Sequence, residues 1–250
     1  MSRLLLLASF LCAACLHAED FAQVPMADGF VVPVGQNGKE YYRSRGLRAN
    51  GHLGEDWNGV GGGDTDLGDA VYSTAHGIVV FARDFRMGWG NVVIIRHAYQ
   101  EKGREKDAPL FVDSLYGHLL NIAVKEGDIV RRDQRIGSIG NNRGMYEAHL
   151  HFEMRKDIRV GMFRNNFPQD SSVYHDPSVF ISEHPQFSAK ARFAKVPINT
   201  FPTQTTTLVA KASPLPPPPS EPTPLRPPSS TLRGGVSFRV DRFSDLRLRE

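Results

Sequence analysis

Ala148-His149-Leu150-His151-Phe152-Glu153-Met154 is the stretch whose pattern decides the fold. Apolar side chains fall at Leu150, Phe152 and Met154, and polar ones at His149, His151, Glu153 and the following Arg155. This period-two alternation predicts a β-strand with one buried face and one face turned to solvent. Both imidazoles then project from the same side. A strand whose polar side carries two histidines in alternate positions is a candidate for metal binding or acid–base chemistry.

Partners for these histidines lie upstream. Gly51-His52-Leu53-Gly54-Glu55-Asp56-Trp57-Asn58-Gly59 offers a histidine and a carboxylate four positions apart. A helix would place both on one face, but Gly51, Gly54, Gly59 and Gly61 to Gly63 argue for a loop or irregular strand. Leu115-Tyr116-Gly117-His118-Leu119 contributes one more histidine in a short apolar stretch. Two histidines and a carboxylate, with one position left for water, form a common catalytic zinc set. Imidazole and carboxylate without thiolate favour zinc but also admit manganese, cobalt or iron. Three of these five polar groups could bind metal, which leaves two histidines for proton handling and charge stabilisation. His-Glu-x-x-His, the helical zinc-protease motif, does not occur.

The order His-x-x-x-Asp, then Tyr-x-His-Leu, then His-Leu-His-Phe-Glu resembles the lysostaphin-type zinc endopeptidases, the LytM-domain peptidoglycan hydrolases. The segments 68–79, 88–97, and 125–130 with 134–137 resemble the intervening hairpins and turn, so the resemblance runs over roughly 30–181. It implies that His52, Asp56 and His151 are metal ligands for one Zn2+ per chain, and that His118 and His149 are catalytic histidines outside the ligand set. It further implies a duplicated-hybrid-motif β fold and hydrolysis of peptidoglycan stem-peptide crosslinks. Two stretches depart from the family pattern. Asn141 to Ala148 lacks the Thr/Ser/Gly-rich run ending in Gly-Pro of many relatives, and the hairpin between His97 and Tyr116 is long and charged. Both are expected to line or overhang the substrate groove.

The remaining histidines read as structural or exposed: His97 at the end of an apolar strand, His76 in a surface turn, His175 before Asp176-Pro177, and His184 before Pro185. Glu55 is expected to face solvent or to support the site, and Glu153 to support it from the histidine face.

The chain ends bear on compartment. Met1-Ser2-Arg3 followed by the apolar run Leu4 to Cys15 and ending near Ala18 reads as a secretory signal peptide over 1–18. Acylation at Cys15 is the weaker reading, since Cys12-Ala13-Ala14 lacks the usual leucine. Both cysteines, Cys12 and Cys15, fall in this segment, so neither disulfides nor thiolate ligands are expected beyond it. An exported, periplasmic or cell-envelope protein follows. A LytM-like domain is expected over 19–190, a Pro-rich linker over 191–230, and a short basic tail over 231–250. Nine prolines in the eighteen residues 213–230 predict an extended, disordered spacer. The tail carries five arginines against three acids. With a net charge of +3 and no basic patch interleaved with aromatics, nucleic acid is not an expected partner. No later stretch is long and apolar enough for a transmembrane helix.

Short Val/Ile/Phe-rich runs at 78–82, 92–97, 111–116 and 149–154, separated by Gly, Asp or Asn, predict a mainly β, compact antiparallel domain. A substrate groove should lie on one face with the metal at its floor. Two other functions compete. Family members that lost ligands can activate other cell-wall hydrolases, though all five site positions stand here. Val124 to Val130 resembles the hairpin of biotinyl and lipoyl carriers, but the modified lysine is missing from its turn.

Overall fold

A computed structural model describes residues 21–49, 51–104, 108–162, 171–185 and 192–202. The expected export signal, the proline-rich run 213–230 and the tail 231–250 lie outside these residues. The elements in order are β1 (Phe21–Pro25), β2 (Tyr41–Arg45), β3 (Glu55–Gly59), β4 (Ala70–Tyr72), β5 (Gly77–Arg86), β6 (Gly90–Tyr99), β7 (Leu110–Ile122), β8 (Ile129–Val130), β9 (Arg135–Ile139), β10 (Leu150–Arg155), β11 (Tyr174–His175), α1 (Pro177–Glu183) and β12 (Phe193–Pro197). One ten-stranded sheet runs β2-β3-β10-β7-β6-β5-β8, with β4 and β9 paired to each other, β9 also on β7, and β11 on β10. All its ladders are antiparallel.

The centre of the sheet is buried on both faces. Val93, Ile95, Tyr116, Leu150, Phe152 and Met154 point into the main core, which Trp57, Val71, Ile136 and Phe180 complete from the other side. On the opposite face Val92, Ile94 and Leu115 pack with Phe81 and Met162 and against Phe201. Ile78 and Ala98 meet Val24, Ala194 and Val196 there. Burial of alternate side chains on both faces explains why β6 reads as a continuous apolar run.

The same cover corrects the reading of β10. Its expected solvent face is closed: all six residues are buried, and Glu153 and Arg155 are 0% exposed. The alternation is real, but its polar members face a buried polar network instead of water.

The cover also includes a strand beyond residue 190. Phe193–Pro197, placed by sequence in the linker beginning at 191, pairs along its whole length with β1. Its alternation Phe193-Ala194-Lys195-Val196 buries Ala194 and Val196 and leaves Phe193 exposed. Arg96 locks this layer down. Its Nε and Nη2 donate to the Asp113 carboxylate at 2.7 and 2.8 Å, and Nη1 donates to Pro197 O at 2.7 Å. The one helix among the described residues, α1, starts where Asp176 accepts a bond from Val179 N at 3.1 Å, with Pro177 as its first helical residue.

Candidate metal centre

The β3–β10–β7 ladder fixes the relative positions of the site residues. Asp56 sits opposite His151, and His151 in turn opposite Gly117, directly before His118. His52 arrives from the loop before β3. That loop lies so close to β10 that a Cβ at Gly54 would stand 2.3 Å from Phe152 O. Glycine is therefore required there for His52 to reach the strand pair. His149 precedes β10 and is held by a bridge to Gly140.

Three ligand-type atoms converge in this space. His52 Nε2 lies 3.0 Å from Asp56 Oδ1 and 3.0 Å from His151 Nδ1, and His151 Nδ1 lies 2.9 Å from Asp56 Oδ1. The other ring nitrogens are already committed. His52 Nδ1 is 3.1 Å from Gly46 O, and His151 Nε2 is 2.9 Å from Glu153 Oε1. Those acceptors face His52 Nδ1 and His151 Nε2, so His52 Nε2 and His151 Nδ1 are the ring nitrogens turned toward Asp56. Two ring nitrogens and a carboxylate around one point suit a cation between them. A point 2.0–2.1 Å from each atom, the usual zinc distance to N and O, lies roughly 1 Å out of a triangle of these dimensions. The residues therefore fit a zinc ion.

The electrostatics agree. Burial alone would raise the pKa of Asp56, but its bonds to His151 and His52 outweigh that and hold it far below the usual carboxylate range. Burial disfavours the His151 imidazolium, yet Asp56 and Glu153 lift its pKa to about 9. Without a metal, a proton on Nδ1 supplies the cation. Burial likewise opposes ionisation of Glu153, but Arg155 and His151 keep its pKa low. Arg155 Nε donates to Glu153 Oε2 at 2.6 Å and Nη1 to Gly161 O at 2.5 Å. A buried chain Arg155–Glu153–His151 thus orients the central imidazole.

His118 and His149 flank the triangle. His118 adopts φ +59, rare for a residue with a side chain. This kink lets both its backbone N and its Nδ1 donate to Trp89 O, at 3.0 and 3.2 Å. Nε2 is then the unprotonated nitrogen. Burial pushes the His118 pKa well below 6.5, and His149 and His151 push the same way, so the ring is neutral at pH 7. His149 Nδ1 donates to Glu147 O at 2.8 Å, and the centroids of the two rings are 4.9 Å apart. His149 Nε2 is buried with no hydrogen-bond partner and stands 3.8 Å from Asp56 Oδ1. A ring nitrogen held beside the triangle suits transfer of a proton to or from a reacting group.

A groove of about 180 Å3 opens over the triangle, lined also by Arg45, Leu53, Trp89 and Tyr146. Tyr146 comes from the departing segment 141–148, as expected, and Asn142 ties that segment to the β5–β6 turn through Met87 O at 2.8 Å. None of the described residues of the charged hairpin lines the groove. Its described residue Glu101 lies 3.4 Å from His184 beside α1, at the far end of β6 from Trp89. Glu55 faces neither solvent nor the triangle. It is buried and receives bonds from Arg43, Trp57 and Ser178. His97 is buried between His76 O and Ser114, while His76 is half-buried against Arg132 N. Arg155, buried behind the groove, could have been read from the period-two pattern, and among the groove residues Trp89 from Gly88-Trp89-Gly90. Arg45 carried no signal among its neighbouring arginines.

Residues 52–161 match Peptidase family M23. Over 108 residues the chain is 36% identical to Peptidoglycan DD-endopeptidase ShyA of Vibrio cholerae, covering 43% of this chain and 22% of that protein. Over 88 residues it is 35% identical to Murein hydrolase activator NlpD of Escherichia coli, covering 35% of this chain and 20% of that protein. It is 34% identical over 88 residues to Lipoprotein NlpD of Yersinia enterocolitica, covering 35% of this chain and 78% of that protein. The chain thus spans about a fifth of the length of the first two relatives.

Proposed function

The chain belongs to Peptidase family M23, and from that premise we propose that it is a zinc metalloendopeptidase that hydrolyses peptide crosslinks of bacterial peptidoglycan. The observation that carries this reading is the triangle of His52 Nε2, Asp56 Oδ1 and His151 Nδ1, with both imidazole tautomers fixed from behind. In this reading His52, Asp56 and His151 hold the ion. A zinc ion held there would supply Lewis acidity and a nucleophilic water at neutral pH.

The chain's own residues handle the protons. The neutral His118 ring offers Nε2 as an acceptor, with its tautomer fixed by Trp89 O. His149 offers a second buried nitrogen beside the triangle. One accepts the proton of the attacking water, and the other serves the carbonyl oxygen or the leaving amine. Trp89, Tyr146 and Leu53 wall the groove and limit water around the peptide. We place the protein in the periplasm or cell envelope, on the strength of the signal-like segment 1–18 and its envelope relatives.

The test is mass analysis of purified crosslinked peptidoglycan incubated with the protein, with and without a chelator. Chelator-sensitive release of uncrosslinked peptides is the expected result. Absence of cleavage with one zinc bound per chain would favour a second reading, an activator of another hydrolase, which the 35% identity to an activator supports.

A further inference from the structure

His149 stands before β10, and its own backbone N–H meets the sheet only through Gly140 O at 3.3 Å, long for a backbone bond. Two peptide planes beside it are held from elsewhere in the fold. The plane joining Glu147 to Ala148 is held at both ends. Its N–H donates to Asp64 Oδ1 at 2.7 Å, and its carbonyl, Glu147 O, accepts from His149 Nδ1 at 2.8 Å. A trans peptide points its N–H and C=O in opposite directions across one rigid plane. The direction that Asp64 gives the N–H therefore sets the direction of the oxygen that orients the His149 ring. The next plane is held by Asn58, whose Nδ2 donates to Ala148 O at 3.2 Å. Ala148 O can only accept, so the Asn58 amide turns its NH2 to it and leaves Oδ1 for Ser44 Oγ at 2.6 Å.

Asp64 is delivered by a loop that has no other part in the metal centre. Gly62 and Gly63 take φ +71 and +53, which glycine adopts without strain. A Cβ at Gly61 would stand 2.6 Å from Thr65 Oγ1. That hydroxyl donates to Gly62 O at 2.8 Å, and Asp66 Oδ2 accepts from Gly59 N at 2.8 Å, which pins the loop to the end of β3. The run Gly61-Gly62-Gly63 thus folds the chain tightly enough to set Asp64 against a residue 84 positions later. Asp64 is itself exposed, so its carboxylate can be removed without opening a cavity in the core.

We propose that Asp64 is a positioning residue for His149, acting through the peptide between Glu147 and Ala148. It fixes the Nδ1 hydrogen bond and with it the place of Nε2, 3.8 Å from Asp56 Oδ1. A carboxylate on the N–H also polarises the amide and strengthens its carbonyl as an acceptor. Asn58 serves the same end from the following peptide. The consequence for turnover rests on the metallopeptidase reading and names the residues that hold one of its proton carriers.

The test uses the full chain loaded with zinc, a purified crosslinked peptidoglycan dimer as substrate, and NMR of the His149 ring. Asp64→Ala should lower kcat about 10- to 100-fold with KM and zinc content unchanged, the span expected for a misplaced reacting group. Asp64→Asn keeps an acceptor oxygen and should restore most of the loss, and Asn58→Ala should act in the same direction as Asp64→Ala. In a His149→Ala background, Asp64→Ala should change kcat by less than about twofold, because its effect passes through that ring. The His149 Nδ1 proton should give a slowly exchanging signal in the unsubstituted protein, lost in Asp64→Ala and retained in Asp64→Asn. Unchanged kcat in Asp64→Ala, an equal loss with and without His149, or loss of zinc overturns the proposal. If the dimer is not cleaved, the ring signal decides alone. Its loss in Asp64→Ala with zinc retained upholds the positioning role while the hydrolase reading fails, and its survival overturns the positioning role.

Discussion

His151 uses both ring nitrogens, Nδ1 toward Asp56 and His52 and Nε2 toward Glu153. Its pKa of about 9 in the metal-free protein makes zinc compete with a proton at Nδ1. Apparent zinc affinity should therefore rise with pH up to about 9, by as much as tenfold per unit, with one proton released per zinc at pH 7. Titrations in buffers of different ionisation enthalpy count that proton, and a pH-independent affinity between 6 and 8 would refute the assignment. Stability of the metal-free protein has the opposite slope. The pKa is raised from 6.5, so the stabilisation from the imidazolium is complete below about 6.5 and is lost as pH rises through about 9. Glu153→Gln should weaken zinc binding roughly 10- to 100-fold, because it removes the carboxylate that orients His151 and leaves Arg155 buried beside a neutral amide. Competition against a chromophoric chelator measures this. His118→Ala and His149→Ala act differently. Each should keep one zinc per chain and lose turnover by about 10²- to 10⁴-fold, as expected for a lost proton carrier. Full turnover in either variant would remove that histidine from the mechanism.

Loops and strands set the spacing that these side chains need, and Gly54 is the tightest point. A Cβ there would stand 2.3 Å from Phe152 O and 2.8 Å from Glu153 Cγ. Gly54→Ala must therefore push the His52 loop off β10. It should cost about 1–3 kcal/mol of stability and weaken zinc binding more than an alanine elsewhere in the loop would, read by urea unfolding and metal titration. The spacing of His52, Asp56, His118, His149 and His151 was legible because each lies in a short motif that a strand or glycine loop presents as a unit. All five converge. The strands were legible as cores, and their ends were not. Val92–His97 extends to Gly90–Tyr99 because pairing with β5 and β7 continues past the apolar residues. The solvent face expected for β10 was misread for a related reason. Alternation reports which residues share a face, and only the tertiary contacts of Glu153 and Arg155 decide what covers it. Arg45 was invisible because a bulge, which leaves no periodic mark, turns it into the groove.

At the scale of the molecule, the metal site and the chain's late residues are joined through the back of the sheet. Arg96 spans from Asp113 to Pro197 O and Ile158 O, and Thr200 Oγ1 also donates to Ile158 O at 2.6 Å. Arg155 grips Gly161 O from the same loop, and a Cβ at Gly161 would meet the Phe201 ring at 3.1 Å. The segment 192–202 thus packs over a loop that anchors the Arg155–Glu153–His151 chain. Proline content, from which a boundary at 190 is read, carries no mark of the strand Phe193–Pro197 that pairs with β1. The comparison that isolates the segment is a chain ending at Pro202 against one ending at residue 191. The shorter chain strands a buried guanidinium N–H of Arg96 and exposes the partners of Ala194 and Val196. It should lose about 2–5 kcal/mol in urea unfolding. It should also bind zinc more weakly than the chain ending at Pro202, since the Gly161 anchor loses its cover. Equal unfolding midpoints and equal zinc affinities for the two chains would show that the domain ends before β12. A loss of stability with unchanged zinc affinity would confine the segment's role to covering the sheet.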